Sequence, residues 1–202
     1  YSMDEFNQLF DDHLFNIDDV KDKTIKLKEG ERRMVSILFA DVKGFTALSE
    51  SLDHEDIQSL MDHIMKIFSH SIEVHGGYVD KYTGDQIMAL FGAKHASEVD
   101  TQRAINTGLD MLAKLEKFNS ILKNSPKYSS LDINLSIRVG INTGMVTTGA
   151  IGKEREGDYT VYGDSVNLAS RMESNAPTNT IMLPEETMTL VNTYFHFKDH
   201  GN

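Results

Sequence analysis

The chain has no cysteine, which excludes disulfides and thiolate metal sites and fits a reducing compartment. It has no apolar run that approaches the length of a membrane span, and no signal-peptide pattern. Positive charge is scarce: 20 Lys and Arg stand against 31 Asp and Glu, a formal net charge of −11. A nucleic-acid partner is therefore not expected, because a polyphosphate backbone needs a basic face. A single small anionic ligand remains compatible with this charge, since one site needs only a few local cations and metals. Familiar phosphate and metalloprotease motifs are absent too. There is no GxxxxGK[ST], for Gly152-Lys153 runs on into Glu154 without the upstream glycine, and there is no GxGxxG or HExxH. The histidines are scattered and read as ordinary surface or core residues.

What is present describes one domain of 202 residues with 40% hydrophobic content, enough for a real core. Residues 1–30 are acidic and polar and read as a lead-in segment; residues 31–202 form the domain proper. The chain opens at Tyr1 and ends abruptly at Asn202, as a cytoplasmic piece of a larger or membrane-tethered protein would. Met34–Phe39 reads as a buried central strand. Ile57, Leu60, Ile64, Phe68 and Ile72 mark a helix from His54 to His75, with Asp53 as its N-cap. Tyr78–Tyr82 and Gln86–Phe91 are strands around a turn at Thr83-Gly84-Asp85. A second long helix from Ser97 to about Lys123 carries Ile105, Leu109, Leu112, Leu115, Phe118 and Leu122 on one face. Leu135–Ile141 is a strand, followed by a glycine-punctuated hairpin (NTGMVTTGAIG) with a charged tip at Lys153–Asp158. Tyr159–Tyr162 is a strand, Asp164–Asn175 a helix and Thr180–Leu183 a strand; Pro184 then opens another helix. The order β-α-β-β-α-β predicts an α+β, ferredoxin-like core, an antiparallel sheet with two long helices on one face, plus extra C-terminal elements.

Four constellations can carry chemistry. Asp41 ends an apolar strand, where a carboxylate needs compensation such as a divalent metal, and Gly44-Phe45-Thr46 starts a short helix whose free amides suit phosphate oxygens. A strand-terminal Asp that only caps a helix is the plainer alternative. Asp85 lies in a Gly-Asp turn, ordinary hairpin chemistry by itself. In a ferredoxin-like sheet, however, it comes to the same edge as Asp41, and two such carboxylates holding two Mg²⁺-type ions equip a site for phosphoryl chemistry. Asn167 and Arg171 lie one helical turn apart, as a solvated helix face or as a sugar-orienting and charge-stabilising pair. Lys81 and Thr160 can read a purine edge or be surface polarity. Arg138 is a lone arginine in an apolar strand and needs a partner, phosphate being one option.

Together, ILFADVKGFTALSE, GGYVDKYTGDQIMALFG, SIRVGINTGMVTTGAIG and YTVYGDSVNLASRME resemble the class III nucleotidyl cyclases, in that family's order and spacing, from about Arg32 to Phe197. The resemblance implies an enzyme that converts ATP to 3′,5′-cyclic AMP and pyrophosphate using two divalent ions, Mg²⁺ or Mn²⁺. Asp41 and Asp85 match its metal-binding aspartates, with the Val42 carbonyl assisting. The amides of Gly44, Phe45 and Thr46 match its phosphate loop, and Arg138 a phosphate-contacting arginine. Asn167 and Arg171 match the pair that steadies ribose and transition state. Lys81 and Thr160 match the base-selecting positions; lysine there points to adenine, where guanylate cyclases place glutamate, and Thr160 marks the threonine-bearing subtype. A further triphosphate-binding lysine of the family is expected beyond HFKDHGN; Lys198 comes too early for it. The family's sites lie between two chains, so a symmetric homodimer is implied, with the hairpin Met145–Asp158 as its dimerisation arm. The alternatives are a guanylate cyclase, or a non-catalytic module of the same fold that dimerises or binds nucleotide.

Overall fold

In the computed structural model, residues 30–201 are described except for 50, 94 and 151–158. Residues 1–29 of the lead-in segment and the charged tip Lys153–Asp158 therefore lie outside the described residues. The elements follow in the order β1 (Arg32–Lys43), α1 (Phe45–Leu48), α2 (His54–Val74), β2 (Tyr78–Thr83), β3 (Gln86–Phe91), α3 (Asp100–Asn124), β4 (Ser136–Ala150), β5 (Tyr159–Tyr162), α4 (Asp164–Asn175), β6 (Thr180–Met182) and α5 (Glu185–Thr189). The sheet runs β2-β3-β1-β4-β5 with β6 beside β4; all pairings are antiparallel except β4 with β6. This is the expected ferredoxin-like core with C-terminal additions.

Strand alternation divides β1 between two layers. Leu38, Ala40 and Val42 join α2 and α3 in the main core, while Val35, Ile37 and Phe39 face the other way, into a smaller cluster with Ala169 and Val166 of α4. Both faces of β1 are thus covered, which is why it reads as a continuous apolar run. Each fully buried Phe or Ile in this core contributes roughly 1.5–3 kcal/mol. Helix α2 starts where expected, the Asp53 carboxylate accepting from the Asp56 amide at 2.9 Å. Asn119 ties α3 to the start of β4 in both senses: its Nδ2 donates to the Leu135 carbonyl at 2.7 Å, and the Leu135 amide donates to its Oδ1 at 2.9 Å.

Three expectations need correction. The strand expected to end at Ile141 runs unbroken to Ala150 and forms the first arm of the expected hairpin, pairing with β5 from Thr147↔Tyr162 to Ala150↔Tyr159. Its glycines serve close approach: a Cβ on Gly144 would meet Ser165, and one on Gly149 would meet the Tyr162 ring. Leu109 is 47% exposed; the face of α3 turned to the sheet carries Ala104, Ile105, Gly108, Met111, Leu115 and Phe118, and Gly108 lets Ile181 of β6 pack against the helix. Asp41 does not end its strand, because β1 continues through Val42 and Lys43.

Arg138, Gly140, Asn142 and Gly144 share the β4 face turned to α4, since Ile137, Val139 and Ile141 belong to the opposite core. A Cβ on Gly140 would run into the backbone amide of Glu173 and the carbonyl of Ala169. Gly140→Ala should therefore push α4 off the sheet and lower the unfolding free energy by about 2–4 kcal/mol, measured by urea denaturation.

Candidate active site

Register brings the site together. Asp41 is opposite Gln86 on β3 and Arg138 on β4. The three share the sheet face that α4 covers, and Glu173 of α4 closes the row from above. Arg138 is the hub. Its Nε donates to Glu173 Oε1 at 3.1 Å, its Nη1 to the Ser174 carbonyl at 3.1 Å and its Nη2 to Asp41 Oδ2 at 3.3 Å. Gln86 Nε2 donates to Glu173 Oε2 at 3.2 Å, and the Lys43 ammonium also pairs with Asp41. Arg138 therefore has its partners within the chain. The side chains of Asp41 and Glu173 are 8% and 2% exposed. Burial, with the Asp41 charge beside it, pushes the Glu173 carboxyl above the usual carboxylate range, while Arg138 pulls it back.

Asp85 is exposed in the two-residue turn between β2 and β3, where Gly84 has φ 63°, a left-handed backbone that this tight hairpin needs at its first turn position. The Val42 amide donates to the Asp85 carbonyl at 3.0 Å, which ties the turn to the end of β1 as expected. Gly44 follows with φ 111°, and a Cβ there would press on the Asn134 carbonyl and Leu135. The chain then enters α1, leaving the first amides of that helix, Phe45 and Thr46 among them, without intrahelical acceptors.

Asn167 and Arg171 are exposed on α4, and no side-chain partner joins them among the described residues. At about 100° per residue they lie roughly 40° apart, but Arg171 is about 200° from Glu173. The helix that turns Glu173 onto Asp41 and Arg138 thus turns Arg171 away from them.

Lys81 and Thr160 come together through a residue the sequence reading missed. Asp80 Oδ2 accepts from Thr160 Oγ1 at 2.6 Å and lies 3.5 Å from Lys81 Nζ. Thr160 is 1% exposed, the Asp80 side chain 1% and that of Lys81 41%. Glu173 was missed as well. Its signal was available: a carboxylate on the inner face of an amphipathic helix, and a lone strand arginine without a partner.

The donor set suits hard divalent cations. Asp41, Asp85 and the Val42 carbonyl offer oxygen only, and no trio of His, Cys, Asp or Glu competes as a cage among the described residues. An ion that shares its shell with phosphates and water needs no more than one or two protein carboxylates.

The family model for the adenylate and guanylate cyclase catalytic domain matches residues 27–202. The chain belongs to that family, whose members use divalent metals. It is 33% identical to an adenylate cyclase of Anabaena cylindrica over 75% of this chain but only 29% of that protein, so it spans under a third of that relative's length. Its fold matches the crystal structure of the adenylyl cyclase CyaB from P. aeruginosa, with a TM-score of 0.77 and 32% identity, covering 86% of this chain and 88% of that one. The guanylyl cyclase Cya2 superimposes with a TM-score of 0.71 and 34% identity, over 81% of this chain and 80% of that one. Among the described residues, no helix is long and apolar enough to cross a membrane.

Arg138 bridges two buried carboxylates that lie close together, so its loss should be costly in a pH-dependent way. In metal-free buffer Arg138→Met should cost about 3–5 kcal/mol at neutral pH. A carboxyl whose folded-state pKa is raised contributes stability below its unfolded pKa and loses it as pH rises through the folded value. The Arg138→Met deficit should therefore shrink as pH falls toward the ordinary glutamate range, and Glu173→Gln added to it should recover part of the loss and flatten the slope, read from urea unfolding between pH 5 and about 8.

Proposed function

We propose that the chain is the catalytic domain of an adenylate cyclase, converting ATP to 3′,5′-cyclic AMP and pyrophosphate at sites shared between two copies. The observation that carries the reading is the division of the site residues into two sets facing different ways. Asp41, Asp85, Val42, the Gly44–Thr46 amides and Arg138 gather at one edge of the sheet, while Asn167 and Arg171 point outward from α4. A second copy related by a two-fold axis supplies each set with the other. Cyclase relatives with solved structures support the fold of both sets, and the lysine at position 81, where the resemblance puts the base-selecting residue, supports adenine over guanine.

Asp41, Asp85 and the Val42 carbonyl would hold the divalent ions, two on this reading, Mg²⁺ or Mn²⁺. Bound there, the ions supply positive charge that lowers the pKa of the ribose 3′-hydroxyl and offsets charge on the phosphate oxygens. The amides of Gly44, Phe45 and Thr46 receive phosphate oxygens. Arg138 stays anchored on Glu173 and Ser174 through Nε and Nη1, so that Nη2, itself 3.1 Å from Glu173 Oε1, can exchange Asp41 for a phosphate oxygen. From the other copy, Asn167 orients the ribose and Arg171 meets the charge that develops as the 3′-oxygen bonds to the α-phosphorus and the bond to pyrophosphate breaks. No side chain of either set serves as base, so the hydroxyl proton passes to water or to a substrate phosphate. Lys81, with Thr160 behind it, reads the base.

Purified chain given ATP or GTP with Mg²⁺ or Mn²⁺ should yield cyclic AMP in preference to cyclic GMP, measured by chromatography of the products. Asp41→Ala, Asp85→Ala and Arg171→Ala should each be inactive while folded. An equal mixture of Asp85→Ala and Arg171→Ala should recover roughly a quarter of wild-type activity, because half the dimers are mixed and each mixed dimer has one intact site of two. A mixture as inactive as its parents, with subunit exchange confirmed by tagged pull-down, would place the whole site in one chain.

A further inference from the structure

The β2–β3 pairing is irregular at one point. Val79 is opposite Ala89, but the next paired residue is Lys81, opposite Met88, which leaves Asp80 as the extra residue of a bulge. In a regular strand Asp80 and Lys81 would point to opposite faces. Here both turn to the face that carries Met88 and Leu90, and the Lys81 ammonium comes within 3.5 Å of Asp80 Oδ2. The same oxygen accepts a hydrogen bond from Thr160 Oγ1 at 2.6 Å, so β5 is tied to β2 across that face. Asp80 Oδ1 is buried and has no hydrogen-bond partner among the described residues. Burial pushes the Asp80 carboxyl upward, against Thr160 and Lys81, which favour its charged form. The carboxylate is thus kept at a cost, and what it gains is a fixed lysine.

We propose that Asp80 is a positioning residue that sets purine preference by holding the Lys81 ammonium in one place, with Thr160 acting on Asp80 rather than on the base. The proposal rests on the cyclase reading above for the ligand, a purine nucleoside triphosphate. A lysine is donor-only on a flexible four-carbon stem, and an untethered one follows whichever acceptor is offered. Adenine offers its ring N1 as acceptor beside the exocyclic amine. Guanine carries a proton on N1 and offers O6 where adenine has the amine. An ammonium free to swing serves both edges; one anchored by a carboxylate serves only the edge whose acceptor lies where it is held. Thr160 is closed to solvent and has committed its only proton to Asp80, so it reaches the base through the carboxylate and the lysine.

The test measures kcat/KM and equilibrium binding for ATP and GTP, with mant-labelled nucleotides for binding, on wild type, Asp80→Asn, Thr160→Val and the double variant, each first checked for folding by circular dichroism. Asp80→Asn should lower the ATP-to-GTP ratio about tenfold or more, mainly by admitting GTP. Thr160→Val should shift it the same way by less, and the double variant should match Asp80→Asn within about twofold, because both act through one carboxylate. A merely structural role would weaken both nucleotides alike and leave the ratio unmoved. If Asp80→Asn does not fold, Asp80→Ser and Thr160→Val carry the comparison. An unchanged ratio in a folded Asp80 variant overturns the proposal; so does a Thr160→Val effect that adds in full to Asp80→Asn, or a wild type that binds GTP as well as ATP. Failure of the cyclase reading looks different: wild type makes no cyclic product from either nucleotide, yet its binding preference still depends on Asp80.

Discussion

Asp41 and Glu173 are carboxylates buried on different elements, and the Arg138 guanidinium between them is what makes their burial tolerable. Taking these charges out of water costs several kcal/mol per ion, so the arrangement persists only where geometry and extra hydrogen bonds are good. The rest of the α4 side of the sheet meets that demand. Gly140 lets the helix lie close enough for Glu173 to reach Arg138, Gln86 satisfies the second Glu173 oxygen, and the Ser174 carbonyl takes one more guanidinium proton. Asn142 and Ser165 then pin the start of the same helix to β4, Asn142 Nδ2 donating to the Ser165 carbonyl at 3.0 Å and Ser165 Oγ to the Met145 carbonyl at 2.9 Å. Once α4 is fixed at both ends, the direction of Asn167 and Arg171 follows.

The network also bears on the proposed metal site. Asp41 is paired with Lys43 and Arg138. On the cyclase reading an ion and its phosphates would replace those two cations, and the bonds of Arg138 to Glu173 and the Ser174 carbonyl would keep its guanidinium at the site.

Much of this was legible in the sequence because it depends on local rules. The 3.6-residue spacing of Leu60, Ile64 and Phe68, the Asp53 cap and the Gly84-Asp85 turn fix elements by their neighbours in the chain. The approach of the Asp85 turn to the end of β1 followed from topology, since the order of elements brings that strand end beside the hairpin. What stayed hidden depends on approach between distant segments. Glycines in β4 read only as punctuation of a hairpin, yet Gly144 and Gly149 make room for Ser165 and Tyr162, which no window of neighbouring residues reveals. Asp80 escaped notice because strand alternation sends it away from Lys81, and one bulge reverses that. Glu173 and Arg138 were each out of place alone, a buried acid on a helix and a lone base in a strand. Only their pairing across 35 residues explains either.

The outward set raises a question that charge answers. Net charge on the chain is −11, so an arginine near any acidic cluster will pair with it, as Arg138 does with Asp41. A cation meant to meet charge that appears only during reaction has to stay uncommitted until then, because an ion pair made beforehand would have to be broken at the moment it is needed. Arg171 escapes capture by lying about 200° around α4 from Glu173. On the two-copy reading it meets the aspartates only across a subunit boundary, with substrate and metal already between them. On that reading, dividing the site between chains lets one sequence carry both halves without the cations of the second half being neutralised beforehand by the acids of the first.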